Sequence, residues 1–177
     1  MKKPGPAEPL DRRQFMKTVS VAGVGLAAAH PLACGRPGAA AASARRRYAI
    51  VGTGSRHEMY REAILRQYKE HAELVGLCDR NAGRIELSRA RAAAAGASVP
   101  GYAAGDFEKM IRETRPGTVI VTTVDGTHDD YIVRAMDAGC DVVTEKPMTV
   151  TAEKCQRILD ARRRTGRRIR VTFNYRY

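Results

Sequence analysis

The chain has 177 residues, enough for one domain with its own hydrophobic core, and its 44% apolar and 28% charged residues exclude a collagen-like, coiled-coil or wholly disordered chain. Its formal net charge is +12, and the runs Arg45-Arg46-Arg47, Arg162-Arg163-Arg164 and Arg167-Arg168 would suit an anionic partner. No aromatic residues interleave with the first two runs, as a stacking platform for single strands requires, so nucleic acid is not expected as a partner.

Residues 1–44 have the pattern of an export signal and linker. Lys2, Lys3, Arg12, Arg13 and Lys17 form a positive start, and the apolar stretch Val19 to Ala29 follows until His30-Pro31 interrupts it. That stretch is too short to span a bilayer, which takes about 20 residues, so no integral membrane span is expected. Asp11-Arg12-Arg13-Gln14-Phe15-Met16-Lys17 resembles a twin-arginine signal, a route for folded cargo, and implies a periplasmic or extracellular location. Ala42-Ser43-Ala44 offers a cleavage site before Arg45. Leu32-Ala33-Cys34 loosely resembles a lipoprotein box, but Pro31 stands where that box has leucine, so cleavage after Ala44 is expected in preference to a lipid anchor at Cys34.

From Tyr48 the chain alternates. Tyr48 to Val51 is a buried strand ending in glycine, and Arg56 to Glu70 has helical spacing with Met59, Ala63, Ile64 and Tyr68 on one face. Leu74 to Cys78 is a second apolar run, and Asn81 to Ala95 is rich in good helix formers. Asp106 can cap a helix that carries Phe107, Met110 and Ile111 and stops before Pro116. Thr118 to Thr123 is nearly all β-branched and predicts a strand. A helix over Thr127 to Ala138 closed by Gly139, a strand over Asp141 to Thr144, a helix over Thr151 to Thr165 stopped by Gly166 and a strand over Arg168 to Asn174 complete the order. This alternation predicts an α/β fold with right-handed βαβ crossovers and a parallel sheet. Among Cys34, Cys78, Cys140 and Cys155 there is no C-x-x-C pair, so neither a metal site nor a structural disulfide is expected, and Cys78 and Cys140 should be small buried hydrophobes.

Gly52-Thr53-Gly54-Ser55-Arg56-His57 directly follows the first strand and opens the first helix. Gly52 permits a tight turn, and Gly54, without a side chain, lets the backbone approach a pyrophosphate. Ser55 and Arg56 can add donors. His57 replaces the third glycine of the fingerprint, which bears on helix–strand packing more than on phosphate binding, and as a first-turn histidine it is expected to pack or cap. Asp79 ends the second strand 27 residues after Gly52. A carboxylate there accepts the 2′-hydroxyl of an adenosine ribose and repels a 2′-phosphate, so NAD is favoured over NADP, although Arg80 beside it can stack on adenine or hold a 2′-phosphate. Asp79 as a mere cap for the next helix is the alternative. Residues 45–177 are thus expected to form a doubly wound, dinucleotide-binding Rossmann domain.

Two further segments, Thr122-Thr123-Val124-Asp125-Gly126-Thr127-His128 and Thr144-Glu145-Lys146-Pro147, together with the glycine loop and the ending Val171 to Tyr177, resemble the family of glucose–fructose oxidoreductase, inositol dehydrogenase and the rhizopine catabolism proteins. The resemblance covers residues 47 to 177, and Glu145-Lys146-Pro147 is its most specific motif. It implies that Gly52, Gly54, Ser55 and Arg56 line the pyrophosphate and that Asp79 and Arg80 meet the adenosine ribose. It further implies that Thr122, Thr123 and His128 border the cofactor and that Glu145 and Lys146 sit beside the nicotinamide ribose. Lys146 would face the substrate as well, its ammonium polarising a hydroxyl that loses its proton during hydride transfer. The peptide before Pro147 would be cis.

Family members continue after their sixth strand into an open, mostly antiparallel sheet that carries the substrate pocket and through which they usually associate. This chain ends at Tyr177, so the C-terminal substrate domain is expected to be absent, and a sugar or polyol substrate and a homo-oligomer are expected only with it. Three readings follow: the cofactor half of an exported sugar or polyol oxidoreductase or of an NAD-dependent glycoside hydrolase of the same family, a non-catalytic dinucleotide-binding module, and a basic nucleic-acid binder.

Overall fold

The computed structural model describes residues 45–173. The export signal, its cleavage site, Cys34 and the end of the last expected strand lie outside the described residues. In chain order the elements are β1 (Arg46–Val51), α1 (His57–Glu62), β2 (Ala72–Asp79), α2 (Ala82–Ala94), β3 (Gly101–Ala103), α3 (Phe107–Thr114), β4 (Thr118–Val121), α4 (His128–Asp137), β5 (Asp141–Glu145), α5 (Ala152–Thr165) and β6 (Ile169–Thr172). The six strands form one sheet in the order β3-β2-β1-β4-β5-β6, and every neighbouring pair is parallel. This is the doubly wound fold expected from the alternation of apolar runs and helical segments.

Side chains alternate across each strand, and the two faces bury different helices. On one face Ile50, Leu77 and Ile120 pack with Ile64, just after α1, and Ala92 of α2. On the other, Val51, Val119, Val121 and Val142 pack with Phe107 and Met110 of α3, Ile132 and Met136 of α4, and Ile158 of α5. Each of these larger side chains stabilises the fold by roughly 1.5–3 kcal/mol when fully buried. The strand order reverses between β1 and β4, so the loops after these two strands diverge and leave a crevice at their C-terminal ends.

Three expectations are corrected. The helix expected over Arg56 to Glu70 is α-helical only as far as Glu62 and widens into a π turn over Ala63–Gln67. It buries His57, Arg61 and Ile64, whereas Met59 and Tyr68, expected on the inner face, are 53% and 59% exposed. Asp106 stands before α3 but makes no capping hydrogen bond through its side chain. The short strand β3, with no apolar run to announce it, pairs with β2 through Leu77 and Gly101, Cys78 and Tyr102, and Asp79 and Ala103. Elsewhere the boundaries move by a residue or two: β4 stops at Val121, so Thr122 and Thr123 turn out of the sheet. α5 begins with a cap, the Thr151 side chain accepting from Lys154 N–H, and ends at Gly166 with φ 67°. Cys78 and Cys140 are buried as expected, and burial pushes their thiols up to about 12 and about 11.

Candidate functional site

After Val51 the backbone turns at Gly52, where φ is 91°. A Cβ there would lie 2.6 Å from the backbone of Thr122 and Thr123, so only glycine lets the loops after β1 and β4 touch. The Thr122 hydroxyl donates to the Gly52 carbonyl at 2.6 Å and seals this contact. At Gly54 a Cβ would meet only Arg84 Nη1, at 3.9 Å, so the backbone there faces open space.

That space is a cleft of about 560 Å³, within the range of small-molecule sites. Gly52, Gly54, Ser55 and Arg56 line it from the glycine loop, Asp79 and Arg80 from the end of β2, and Thr122 and Thr123 from the end of β4. Eight of the residues expected at the cofactor therefore meet in one place. Asn81, Arg84, Val124, Thr127 and Tyr131 also line the cleft and were not anticipated. No local pattern marks them: Arg84 and Tyr131 sit inside α2 and α4, and the placement of these helices brings them to the cleft.

Asp79 is 7% exposed and already busy. Its Oδ2 accepts from Thr53 N–H at 2.5 Å and from the Thr53 hydroxyl at 3.0 Å, and its Oδ1 accepts from Asn81 N–H at 2.8 Å. Burial pushes this carboxyl up, but the Asn81 and Thr53 donors outweigh it and hold it below the usual carboxylate value. With two acceptor places on each oxygen, Oδ1 keeps one for a ligand hydroxyl. The α2 cap is Asn81, whose side chain accepts from Arg84 N–H, so the alternative of Asp79 as a helix cap is set aside.

His57 is buried and works as a clamp. Its Nδ1–H donates to the Gly54 carbonyl, and its Nε2 accepts from the Ser88 hydroxyl of α2 at 2.9 Å. Burial lowers its pKa below 6.5, which keeps the ring neutral as this pattern of one donor and one acceptor requires. The residue that replaces the third glycine thus ties the loop to α2.

His128, Glu145 and Lys146 do not line the cleft. His128 is fully buried, and its ring nitrogens face the Pro147 carbonyl at 2.9 Å and the Thr123 carbonyl at 3.1 Å, so it braces the cleft wall from behind. Glu145, 5% exposed, accepts from the Tyr60 hydroxyl at 2.6 Å and from the Thr172 hydroxyl at 3.1 Å, and its other oxygen lies 3.1 Å from Arg56 Nε. Burial pushes the Glu145 carboxyl up, but Tyr60 and Arg56 hold it below its ordinary value, while burial and this carboxylate push the Tyr60 hydroxyl up to about 12. Glu145 therefore links β5, β6 and α1 to the arginine of the glycine loop. Lys146 is exposed on the loop after β5, and the Lys146–Pro147 peptide is cis. No group of three or more His, Cys, Asp or Glu side chains among the described residues could hold a metal ion.

A family profile described as "Oxidoreductase family, NAD-binding Rossmann fold" matches residues 46–173. The chain belongs to this family. Within it, YteT of Bacillus subtilis, named as an oxidoreductase, is 34% identical over 129 residues, which are 72% of this chain and 30% of YteT. Inositol 2-dehydrogenase of Klebsiella pneumoniae is 35% identical over 122 residues, 68% of this chain and 34% of that enzyme. The chain thus spans about a third of the length of these oxidoreductases. Among solved structures, the WlbA dehydrogenase of Bordetella pertussis in complex with NADH and UDP-GlcNAcA superposes with a TM-score of 0.64 at 27% identity, over 72% of this chain and 37% of that one. The myo-inositol dehydrogenase of Lactobacillus casei, in complex with NAD(H) and myo-inositol, shares the fold with a TM-score of 0.67 at 22% identity, over 75% and 38%. The described domain is an NAD-binding Rossmann domain of the oxidoreductase family, and the cleft at the β1–β4 switch suits that cofactor: open backbone at Gly54, a spare acceptor on Asp79 and an apolar lip at Val124.

Proposed function

We propose that the chain is the cofactor-binding part of an exported oxidoreductase that uses NAD, in preference to NADP, to oxidise a sugar or polyol by hydride transfer, the substrate pocket being supplied by a further domain. The observation that carries the reading is the convergence of Gly52, Gly54, Asp79 and Thr122 on one cleft at the point where the strand order reverses. Bound NAD supplies the hydride acceptor. Gly54, Ser55 and Arg56 bind its pyrophosphate, and Asp79 accepts a ribose hydroxyl through Oδ1. Lys146 lies at the C-terminal end of β5, the end of the sheet at which the cleft opens, and the absence of a paired carboxylate on it among the described residues leaves its ammonium available to polarise a substrate hydroxyl. Export rests on the Arg12-Arg13 motif and the apolar stretch Val19 to Ala29.

The test is NADH formation by the longer protein with a panel of polyols and sugars, in native and Lys146→Ala forms. The reading predicts NAD-dependent turnover that Lys146→Ala abolishes while NAD affinity stays within about tenfold. Turnover retained in the variant would remove Lys146 from the chemistry, and NAD binding without turnover of any member of the panel would favour a non-catalytic module.

A further inference from the structure

The segments that lead into the six strands, residues 45–47, 68–73, 95–101, 115–118, 138–141 and 166–169, form the end of the sheet opposite the cleft. They stand side by side. Arg46 N–H donates to the His71 carbonyl at 2.8 Å, Gly117 N–H to Arg47 at 2.9 Å, Asp141 N–H to Gly117 at 3.1 Å and Val142 N–H to Arg168 at 2.8 Å. These segments hold seven basic and three acidic side chains, against 24 and 17 over residues 45–173, so four of the seven net charges of the described domain lie on this one end.

All three carboxylates there are paired: Glu70 with Lys69 at 3.9 Å, Glu73 with Arg47 at 3.5 Å and Asp141 with Arg168 at 2.6 Å. Arg45, Arg46, Arg115 and Arg167 are exposed and have no carboxylate partner among the described residues. Arg115 holds its place at a cost, since its φ is 44° in the left-handed C-terminal position of α3, where glycine or asparagine is the usual occupant.

We infer that this arginine rim docks on an anionic lipid surface, with the dinucleotide cleft turned away from it. Neighbouring strands are about 4.8 Å apart, so the lead-ins of β1, β4 and β6 spread their guanidiniums across roughly 15 Å, a reach that suits a planar array of phosphate headgroups. Tyr68, 59% exposed, belongs to the same end, and a tyrosine is well placed at headgroup depth. A lone tyrosine gives no platform for stacked bases, which favours lipid over nucleic acid.

Co-sedimentation of the full 177-residue chain with vesicles of phosphatidylglycerol and phosphatidylcholine, and with phosphatidylcholine alone, tests the proposal. Binding should favour the anionic vesicles and weaken as salt is raised. Arg115→Gly combined with Arg167→Gln should weaken it by about 25-fold, roughly fivefold for each arginine removed. Glycine suits the left-handed backbone at 115, so Arg115→Gly should leave Tm unchanged or higher and NAD affinity unchanged, which separates lost docking from lost folding. Equal binding to both vesicle types, or a double variant that binds like the native chain, overturns the proposal. So does a preference for duplex DNA over anionic vesicles at the same salt, which would assign the rim to nucleic acid.

Discussion

The Asp79 carboxylate accepts both the backbone N–H and the hydroxyl of Thr53, at 2.5 and 3.0 Å, and so holds the glycine loop in the shape that opens the cleft. One buried side chain thus has two duties, bracing the loop through Oδ2 and offering a ribose acceptor through Oδ1.

Replacing Asp79 should reveal both duties. Asp79→Ala removes the acceptor and the repulsion of a 2′-phosphate, so the preference for NAD over NADP should narrow by about tenfold. It also orphans the buried Thr53 N–H, which costs about 1–3 kcal/mol and lowers Tm. Comparison of NAD and NADP dissociation constants checks the first effect. An unchanged ratio with a lowered Tm would mean that Asp79 serves the loop alone.

Gly52→Ala should damage the fold itself. It forces an L-residue to φ 91° and drives a Cβ to 2.6 Å from the backbone of Thr122 and Thr123. Strain and overlap together should cost about 3 kcal/mol or more, a fall in Tm on the order of 10 °C. A thermal melt within a degree or two of the native protein, on the order of experimental error, would refute the contact.

His57 should give stability a pH dependence. Its folded pKa lies below the unfolded 6.5 because burial disfavours the imidazolium. The unfolded chain therefore binds more protons below that pH. The stabilisation from neutral His57 is full above about pH 6.5 and is lost as pH falls from there through the lower folded value. Denaturant unfolding at a series of pH values should show this decline in the native protein and a shallower one in His57→Gln. Equal slopes would remove His57 as its source.

Glu145→Gln should loosen Arg56. The neutral amide still meets the Tyr60 and Thr172 hydroxyls but loses the ionic contact at 3.1 Å with Arg56 Nε. NAD affinity should fall by about threefold to tenfold, and combination with Arg56→Gln should add nothing further if the two act as one unit. Fully additive losses would show that Glu145 acts on the cofactor by another route.

β1, β2, β4 and β5 are legible in the sequence because burial on both faces leaves continuous apolar or β-branched runs, and the edge strand β6, with no buried residue, is legible from the β-branched Ile169, Val171 and Thr172. β3 is not, being three residues of Gly101, Tyr102 and Ala103 whose only support is pairing with the end of β2. α1 misleads because polar His57 and Arg61 face inward while Met59 and Tyr68 face out, the reverse of what hydrophobic spacing predicts. In the site, Gly52, Gly54 and Asp79 are legible because local motifs fix them. Arg84 and Tyr131 reach the cleft only through the placement of whole helices. The bracing roles of His128 and Glu145 depend on contacts 19 and 85 residues away in sequence, which no local pattern encodes.

The most direct test of the central claim is a calorimetric titration of the chain with NAD, native and Gly54→Ala. The account predicts a single saturable site in the native protein. In the variant the fold and Tm should survive, since the added Cβ meets only Arg84 Nη1 at 3.9 Å, while NAD affinity drops by at least about tenfold as the methyl blocks the approach of the pyrophosphate. A native chain that takes up no NAD, or a Gly54→Ala variant that binds it as tightly as the native one, would contradict the assignment of this cleft.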